Sequence, residues 1–490
     1  MTVKLNKSAL NNLPENVEGP GYDRGSLSPG IVHIGVGNFH RAHQAIYLNR
    51  LFETGEGLDW AIVGAGLKPY DKAMRERLEN QDWLTTVVEL DPEGLSARVC
   101  GSMIDFVDVG PAALIERLCQ PDIRIVSLTI TEGGYFVDPN TGGFNADHPE
   151  IKADIARQGT RETVFGVLVE ALTKRNEAGI APFTVMSCDN LPENGHVAKQ
   201  AVVGYARALD PATADWIADN VAFPNGMVDC ITPATGDRER NLVSETFGIE
   251  DAAPVACEPF RQWVLEDTFP LGRPALEKVG VEFVSDVAPY ELMKLRILNG
   301  GHATIAYPGA LLGHYYAHEA MADPLIRAYL EKLENSEIIP TVPEIPGVSF
   351  ADYLTTVMER FSNEAVGDTI ARLCLDGSNR QPKFILPTIQ ARLDKGQPVS
   401  GLALETALWC RFCLERDEDG EDIRIDDDNA DLLRDWAKDV YSGSLDKFEM
   451  PDLFGSLASN ADYLTAFRAA AESISDKGVA ETLKAYIDGA

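Results

Sequence analysis

The stretch that decides the fold is GIVHIGVGNFHRAHQA, residues 30–45. Its first half has the apolar, β-rich character of a buried strand, and its second half has a helical pattern. Between them lies G-x-G, in which Gly35 permits a tight turn and Gly37 lets a pyrophosphate approach the backbone. The third position of the G-x-G-x-x-G fingerprint is His40. We therefore predict a dinucleotide site that departs from the usual pattern at one position.

The second apolar segment, residues 60–66, should end beside the adenosine ribose of such a cofactor. An acidic residue at that place binds the ribose hydroxyls and disfavours a 2′-phosphate, and the acid available is Asp71. Lys68 and Lys72 flank it and would tolerate a phosphate, so NAD is favoured and NADP stays open. The cofactor-binding residues expected are Gly35, Gly37, Asn38, Phe39, Arg41 and Asp71.

Strands and helices alternate over the first part of the chain, which predicts an α/β, Rossmann-type domain with a mostly parallel sheet covered on both faces. The strand-like runs are 30–37, 60–66, 84–91, 123–131 and 183–190. From about residue 289 onward helical periodicity dominates, as in 350–361, 401–415 and 460–490. We place a dinucleotide-binding domain at 1–287 and a mainly α-helical substrate domain at 288–490, with the active site in the cleft between them.

A second informative stretch is ELMKLRILNGGH, residues 291–302, which carries polar groups inside an apolar helical pattern. At about 100° per residue, Glu291, Lys294 and His302 fall within a sector of roughly 80°. Asn299 lies farther round, and we expect the two glycines that follow it to bend the helix there. A surface stripe with an ion pair between Glu291 and Lys294 is an equally good interpretation of this segment alone.

Two further polar clusters follow apolar segments, SCDN at 187–190 and MVD at 227–229. Polar residues at the carboxyl end of a strand in an open α/β sheet lie where ligands bind. Oxidation of an alcohol needs a base for the hydroxyl proton and donors for the developing oxyanion. A lysine such as Lys294 can serve as the base, and the amides of Asn190 and Asn299 can stabilise an oxyanion without adding charge. A solvated loop remains the alternative for the cluster at 187–190.

Composition limits the classes of partner. The chain has 490 residues, and its 76 acidic against 43 basic residues give a formal net charge of −33. Such a surface repels nucleic-acid phosphates and anionic lipids. The N-terminal residues lack an apolar core typical of a secretory signal, and the eight cysteines are scattered. We expect a cytoplasmic enzyme with reduced thiols, a small-molecule substrate, and neither a nucleic-acid nor a membrane partner.

Taken together, these clusters resemble the polyol-specific long-chain dehydrogenase/reductase family over nearly the whole chain. The resemblance is carried by HIGVGNFHRAHQA (33–45), SLTITEGGY (127–135), SCDNLPENG (187–195), EPFRQWVLED (258–267) and the Lys294, Asn299, His302 spacing. It implies that Lys294 is the base, that Asn190 and Asn299 hold the oxyanion, and that His302 helps to bind substrate. It also implies that Glu291 gates a proton path and that Val228, Asp229 and Arg372 line the polyol site.

The chain departs from the family pattern at three positions. Cys230 stands where an arginine is common, Arg380 where a lysine lies near the substrate, and Tyr70 where an acidic residue precedes Asp71. We include Arg380 among the expected substrate-binding residues. The family uses no metal, and it includes monomers, so we expect a metal-independent and monomeric enzyme.

The resemblance implies NAD-dependent oxidation of a polyol, with D-mannitol to D-fructose as the first expectation. Reduction of fructuronate or tagaturonate, whose carboxylate an arginine could bind, is an alternative. Oxidation of arabinitol or sorbitol is another, and a non-catalytic NAD-binding sensor is the alternative outside enzymes. Cys410 with Cys413, His314 with His318, and the calcium-like loop 415–426 imitate metal sites, but we interpret them as core cysteines, surface histidines and an acidic hairpin.

Overall fold

The computed structural model describes residues 2–138, 141–442 and 450–489. Contacts within the chain divide it into two compact units, Met1–Ala288 and Pro289–Ala490. They are called the first and second unit below. The α/β fold with a following helical part, expected from the sequence, is confirmed.

The centre of the first unit is a five-stranded, wholly parallel sheet. Its strands, in spatial order, are Met103–Phe106, Ala61–Ala65, Pro29–Ile34, Ile125–Leu128 and Thr184–Ser187. In chain order this is 3-2-1-4-5, the order of the Rossmann fold. The order reverses between the first strand and the fourth. The turn after the first strand, which contains Gly35, therefore lies at the topological switch point, where open α/β sheets bind ligands.

The sequence run 84–91 was expected in the parallel sheet, and this prediction is wrong. The sequence run 84–91 does form a strand, Thr85–Glu89, but that strand pairs antiparallel with Ser96–Cys100, outside the parallel sheet. Alternation of apolar residues predicts that a strand forms, but not which partner it chooses. The remaining strands of the first unit are Val3–Lys4, Val17–Glu18, Gly226–Asp229, Ile249–Glu250, Val255–Cys257, Gln262–Glu266 and Glu282–Val284.

Helices cover both faces of the parallel sheet. One face packs Ile31 and Ile62 against the apolar side of Gln44–Glu53, and the other packs Val32 and Val126 against Val164–Glu177. Strand residues alternate between the two faces, so both cores draw on the same strands. The helices of this unit are Asn38–Ala42, Gln44–Glu53, Asp71–Glu79, Pro111–Leu118, Pro149–Ala156, Val164–Glu177, Asn194–Leu209, Pro211–Asn220 and Asp237–Phe247.

The second unit is built from helices, and its described residues contain no strand. Its helices are Ala288–Met293, Lys294–Asn299, Gly300–Leu311, Ala317–Ala322, Pro324–Leu333, Glu334–Ile338, Phe350–Phe361, Ile370–Leu373, Gly377–Phe384, Leu386–Leu393, Ser400–Phe412, Ala430–Tyr441, Pro451–Phe454 and Ala461–Asp488. Buried aromatic rings, among them Trp409, Trp436 and Tyr463, form much of the core.

The last helix is not continuous. Gly478 has φ 83° and ψ 172°, so two helical segments meet there at a kink. The final residue of the stretch 460–490 lies outside the described residues. Within the part of the chain that is described, no helix is both long and apolar enough to cross a membrane.

Candidate active site

The G-x-G turn has the backbone that the sequence predicts. Gly35 has φ +96°, a backbone conformation that residues with a side chain rarely adopt. A Cβ atom at this position would also overlap the carbonyl oxygen of Thr129, so both the backbone and the available space require glycine. Gly37 differs, because the nearest atom to an added Cβ there is the Gly35 carbonyl oxygen at 3.8 Å. The backbone at Gly37 therefore borders open space. This space fits the close approach of a pyrophosphate that a dinucleotide requires.

Arg41 and Asn38 were both expected to bind the cofactor. In the structure their side chains form hydrogen bonds with protein atoms around the turn. Arg41 Nε donates to the Gly37 carbonyl at 3.2 Å, another of its nitrogens donates to Asn38 Oδ1 at 2.7 Å, and a third donates to the Ala253 carbonyl. Asn38 Nδ2 donates to the Pro233 carbonyl at 3.2 Å. Burial lowers the pKa of Arg41 to about 10, so it stays charged at neutral pH. These two side chains stabilise the turn.

His40, at the position of the missing third glycine, is buried. Its ring lies flat on that of His33, with 3.4 Å between centroids, and neither ring nitrogen has a partner among the described residues. Burial lowers the pKa of His33 to about 3 and that of His40 well below its usual range, so both rings are neutral. Phe39 stacks on His43 at 4.8 Å, and the helix is interrupted at His43, which has φ −116° and ψ −89°.

Asp71 lies against the carboxyl end of the second strand of the parallel sheet, where the ribose acid belongs. A Cβ on Gly66 would overlap the Asp71 side chain, and Asp71 Oδ2 accepts a hydrogen bond from the Lys68 backbone N–H at 2.8 Å. The Lys68 ammonium pairs with Glu150 at 3.1 Å. The lysine that could have received a 2′-phosphate is thus partly neutralised, which favours NAD.

Asp189 fixes the loop before Asn190. Its carboxylate accepts hydrogen bonds from the N–H groups of Ile130 and Thr131 at 3.0 and 2.9 Å and from the Tyr135 hydroxyl at 2.7 Å. Burial raises the pKa of this carboxyl, and the hydrogen bonds oppose the shift. Asp189 therefore joins the ends of two strands. Asn190 follows it with an exposed side chain.

Asn194 is a structural residue that the sequence analysis missed. Its Nδ2 donates to the carbonyls of Asp189 and Gly226 at 3.1 and 2.7 Å, and its Oδ1 accepts from the Gly226 N–H at 2.9 Å. It ties the Asn190 loop to the strand that holds Val228 and Asp229, both buried. The signal available in the sequence was an asparagine at the start of a helix, just after a polar cluster.

In the second unit the helix that carries Lys294 changes type at that residue. An α-helix spans Ala288–Met293, a π-helix spans Lys294–Asn299, and an α-helix resumes at Gly300–Leu311. Glu291 is half-buried one turn before Lys294. A π segment closes each turn with an i to i+5 hydrogen bond, and such segments are frequent at functional sites.

The π turn corrects the geometry expected from the sequence. On a regular α-helix Asn299 would lie about 140° from Lys294 around the axis. Because a π turn takes more residues than an α turn, Asn299 lies closer to the Lys294 face than a regular α-helix would place it. His302 follows three residues later on the α-helix, which is a neighbouring position on that face. The change of helix type, which the apolar pattern did not predict, brings the three residues nearer to one face of the helix.

His302 is surrounded by positive charge. Burial lowers its pKa well below the usual range, and Arg372, Arg360, Arg380 and Lys294 lower it further, so His302 is a neutral imidazole. Its ring stacks on Phe361 at 4.1 Å. The structure thus brings together three residues that the sequence predicted, Lys294, Arg372 and Arg380, and adds Arg360. Arg360 was not predictable from the sequence, because one arginine in an amphipathic helix resembles a solvent-facing residue.

The arginines of this cluster are themselves fixed. Arg372 forms two hydrogen bonds with the carboxylate of Asp368. Arg380 donates to the carbonyl of Leu373 at 2.9 Å, and its pKa is lowered by burial. Side chains held in this way lose little further entropy when they donate to a substrate oxygen.

The imitations of metal sites have ordinary explanations in the structure. Cys410 and Cys413 are buried thiols at the end of helix Ser400–Phe412, and His314 pairs with a carboxylate. Glu415 and Asp422, at the first and eighth positions of the calcium-like loop, each pair with an arginine. Across residues 2–138, 141–442 and 450–489, no group of three or more His, Cys, Asp or Glu side chains is arranged to hold a metal ion.

Comparison with known proteins places this geometry in a family. Residues 29–278 match the family model "Mannitol dehydrogenase Rossmann domain", and residues 286–475 match "Mannitol dehydrogenase C-terminal domain". Mannitol 2-dehydrogenase of Cereibacter sphaeroides is 53% identical over 477 residues, which are 97% of this chain and all of the relative.

Two solved structures are similar over almost the whole chain. One is the Pseudomonas fluorescens mannitol 2-dehydrogenase in ternary complex with NAD and D-mannitol, with TM-score 0.87, 43% identity and full coverage of both chains. The other is a D-sorbitol dehydrogenase in substrate-free form, with TM-score 0.90, 37% identity, and coverage of 98% of this chain and 100% of that one. With both family models matched in order and relatives similar from end to end, the chain belongs to the mannitol dehydrogenase family.

Proposed function

We propose that this chain is an NAD-dependent, metal-independent polyol dehydrogenase that oxidises the C2 hydroxyl of D-mannitol to give D-fructose. The observation that carries the proposal is the π segment that begins at Lys294 and ends at Asn299, with His302 in the first turn of the α-helix that follows. The substrate follows from the family, in which one solved relative is described as a complex with NAD and D-mannitol.

In this proposal one part of the chain binds the cofactor and the other supplies the catalytic base. Residues 1–287 form the dinucleotide-binding domain, and residues 288–490 form the mainly helical domain that supplies the base. The proposed cofactor-binding residues are Gly35, Gly37, Asn38, Phe39, Arg41 and Asp71, of which Asn38 and Arg41 contribute by holding the turn with their side chains. When bound, NAD supplies the acceptor for the hydride. Gly37 supplies space for the pyrophosphate, and Asp71 selects a ribose that bears free hydroxyls.

Lys294 is the proposed base. The residue is 9% exposed, so most of it is withdrawn from bulk water. In its neutral form the Lys294 Nζ takes the proton of the substrate hydroxyl as the C–H bond is broken. Glu291, one turn earlier, is the proposed route by which the proton leaves. The same groups run in reverse when a ketose is reduced.

Asn190 and Asn299 are the proposed donors to the oxygen that becomes the carbonyl. Carboxamide N–H groups stabilise the negative charge that develops on this oxygen, and they remain neutral throughout. His302 is the proposed third polar contact. Its low pKa keeps it neutral, so it can bind a hydroxyl without competing with Lys294 for the proton.

The remaining polyol hydroxyls are assigned to four residues. Val228 and Asp229 lie buried on one short strand, where Asp229 can accept hydrogen bonds from hydroxyls. Arg372 and Arg380 are donors from the second unit, each oriented by another protein group. A polyol offers both donors and acceptors at every hydroxyl, which matches this mixed set.

The deciding experiment follows nicotinamide absorbance with purified enzyme, using D-mannitol, D-sorbitol, D-arabinitol, D-fructose, fructuronate and tagaturonate, each with NAD(H) and NADP(H). We expect the highest kcat/KM with D-mannitol and NAD, unchanged after dialysis against a chelator. Reduction of fructuronate without oxidation of mannitol would replace the substrate assignment. Tight NAD binding with no turnover of any compound would favour a sensor.

We also propose that the enzyme works as a monomer in the cytoplasm on small molecules alone. All eight cysteines are free thiols, which suits a reducing compartment. A net charge of −33 opposes association between copies. Light scattering coupled to size-exclusion chromatography should give a single mass near that of one chain.

A further inference from the structure

A buried polar layer lies under the G-x-G turn, where Rossmann domains usually pack small residues. His33 belongs to the strand before the turn and is completely buried, and so are its neighbours Ser127 and Gln44. His40, on the helix after the turn, covers the His33 ring at stacking distance. Two flat rings therefore separate helix and strand where a third glycine would have let them touch.

The layer forms a chain of hydrogen bonds that ends on the turn itself. His33 Nδ1 lies 2.8 Å from Ser127 Oγ, and His33 Nε2 lies 2.9 Å from Thr129 Oγ1 and 3.2 Å from the Gly35 carbonyl oxygen. Thr129 Oγ1 donates to the same Gly35 carbonyl at 2.6 Å. Beyond Ser127, its hydroxyl lies 3.0 Å from a side-chain amide atom of Gln44.

The hydrogen atoms of this chain can be assigned in one consistent direction. The oxygen and nitrogen of a carboxamide are interchangeable in heavy-atom geometry, and Gln44 Nε2 has no partner in its present orientation among the described residues. With that nitrogen turned toward Ser127, each group donates to the next. The path runs from Gln44 through Ser127, His33 Nδ1, His33 Nε2 and Thr129 to the Gly35 carbonyl. It requires His33 to be neutral with its proton on Nε2.

The end of the chain determines the direction of a peptide group. The Gly35 carbonyl accepts from Thr129, from His33 and from the Gly37 N–H at 2.7 Å, so it is held firmly inward. The peptide bond that follows is trans, and in a trans peptide the C=O and N–H point in opposite directions. The N–H of Val36 therefore points away from the polar layer.

We infer that His33 and Thr129 are positioning residues for the dinucleotide, because they hold the Gly35 carbonyl inward and so aim the Val36 N–H at the cofactor's pyrophosphate. Neither side chain needs to touch the cofactor for this role. The inference rests on the proposed binding of NAD at this turn. It also explains how a fingerprint without its third glycine retains a defined turn: the stacked histidines replace close packing with hydrogen bonds.

Three variants at position 129 separate the hydroxyl from the size of the side chain. Thr129→Val keeps the shape and loses the hydroxyl, Thr129→Ala loses both, and Thr129→Ser keeps the hydroxyl in a smaller side chain. The measurement is the Kd of NADH by fluorescence titration in the absence of substrate, with the Tm recorded for each protein. We expect Val and Ala to weaken binding about tenfold, and Ser to stay within about twofold of the wild type.

His33→Phe tests the ring nitrogens, because it preserves a flat ring against His40 and removes both hydrogen-bonding atoms. It should also weaken NADH binding about tenfold. The matched control is Thr173→Val. The Thr173 hydroxyl donates to a backbone carbonyl at 2.8 Å in the same unit, on helix Val164–Glu177, so this variant removes the same kind of bond elsewhere. Its Kd should equal that of the wild type even if its Tm falls.

Different outcomes contradict the role of Thr129, the role of His33 and the proposed function. If the Kd follows side-chain volume, with Val normal and Ala and Ser equally weak, Thr129 only fills space and the inference is wrong. A His33→Phe enzyme that binds NADH like the wild type would remove His33 from the role. Failure of the wild-type protein to bind NADH would instead contradict the proposed function. Because Val, Ala and Ser impose different strains, loss of folding in one variant leaves the other two to decide.

Discussion

Lys294 is the residue on which the proposed chemistry depends most directly. Replacing it with alanine removes the proposed base from the second unit. We expect Lys294→Ala to lower kcat by about 10²- to 10⁴-fold, the usual contribution of a general base, with the Kd of NADH within about twofold of the wild type. The control is Lys174→Ala, which removes a lysine that pairs with Glu170 on the surface. Substantial turnover by the Lys294 variant would contradict the assignment.

Cofactor choice is also decided at single residues. Asp71→Ser removes the acid expected to repel a 2′-phosphate, and Glu150→Gln releases the Lys68 ammonium from its ion pair. Each change should raise the ratio of kcat/KM with NADP to that with NAD, and the double variant should raise it most, because a carboxylate is lost while a cation is freed. Steady-state kinetics with both cofactors measure the ratio, and Glu170→Gln serves as a control for the loss of a surface carboxylate. An unchanged ratio in the double variant would mean that Asp71 does not face the ribose.

Single-residue properties explain which site residues could be predicted. The turn at Gly35 was predictable because a positive φ is a local requirement that glycine meets, and the place of Asp71 was predictable because it follows its strand closely in sequence. The cofactor roles of both residues stay predictions. The partner of His40 was not predictable, since His33 looks like one more residue of an apolar strand and only the fold stacks the two rings. Long-range pairs of this kind leave no local pattern.

At the scale of elements, the helix that carries Lys294 shows what periodicity misses. The apolar pattern predicted a helix over this segment, but a π segment satisfies the same pattern with one extra residue per turn. Likewise, the β-rich run 84–91 predicted the strand Thr85–Glu89 but not its antiparallel partner. Patterns in sequence report which residues are buried. Hydrogen-bond register depends on contacts with other elements, which one segment does not encode.

The two glycines after the π segment differ in a testable way. A Cβ on Gly300 would meet its nearest atom at 3.9 Å, whereas a Cβ on Gly301 would lie 3.2 Å from a ring carbon of Phe361, the residue that stacks on His302. We expect Gly300→Ala to stabilise the protein by about 0.5–1 kcal/mol through helix propensity. Gly301→Ala should push Phe361 and lower kcat/KM for mannitol about tenfold, as expected when a substrate contact is displaced.

Thermal unfolding and steady-state kinetics measure these effects. Gly300→Ala is the control for Gly301→Ala, since the two substitutions are identical and adjacent. The Kd of NADH should be unchanged in both variants. Equal kinetic effects at Gly300 and Gly301 would show that Phe361 does not support His302.

Glu405 joins two helices of the second unit and should give stability a dependence on pH. It is fully buried on Ser400–Phe412, and Gln381 Nε2 donates to it at 2.6 Å. Burial raises its pKa to about 8. Between the ordinary glutamate pKa near 4.3 and pH 8, the unfolded chain releases a proton that the folded chain keeps, so stability falls as pH rises through this window.

Glu405→Gln should abolish this loss, because a second amide can pair with Gln381 and carries no charge. The variant should exceed the wild type by up to about 4 kcal/mol in free energy of unfolding at pH 8 and by less than about 1 kcal/mol at pH 5. Urea unfolding at both pH values measures the difference. Glu331→Gln, an exposed position on Pro324–Leu333, is the control and should have the same small effect at both. A pH-independent effect of Glu405→Gln would mean that Glu405 is ionised in the fold.

At the scale of the whole molecule, the net charge of the chain is negative, whereas the charge around His302 is positive. The chain carries a formal net charge of −33, yet Arg372, Arg360, Arg380 and Lys294 surround His302. A neutral polyol gains nothing from the field of the whole surface, whereas the local cations determine the potential at His302. Net charge was legible from composition alone, but a cationic cluster inside an acidic protein depends on folding.

The acidic surface also predicts how stability responds to salt. Repulsion among like charges is effective over about 30 Å at 0.01 M salt and about 3 Å at 1 M, so salt should stabilise this fold by screening. We expect the Tm to rise by about 2 °C between 10 mM and 500 mM NaCl, equivalent to roughly 2 kcal/mol for a chain of 490 residues.

The matched variant is Asp426→Asn with Asp428→Asn, which neutralises two exposed carboxylates of an acidic run. Its Tm should be higher than that of the wild type at low salt, and its gain from salt should be smaller, because part of the repulsion is already absent. Differential scanning calorimetry across the salt series measures both. A Tm that falls with salt would mean that attraction within surface ion pairs outweighs repulsion, although such pairs usually contribute little when exposed.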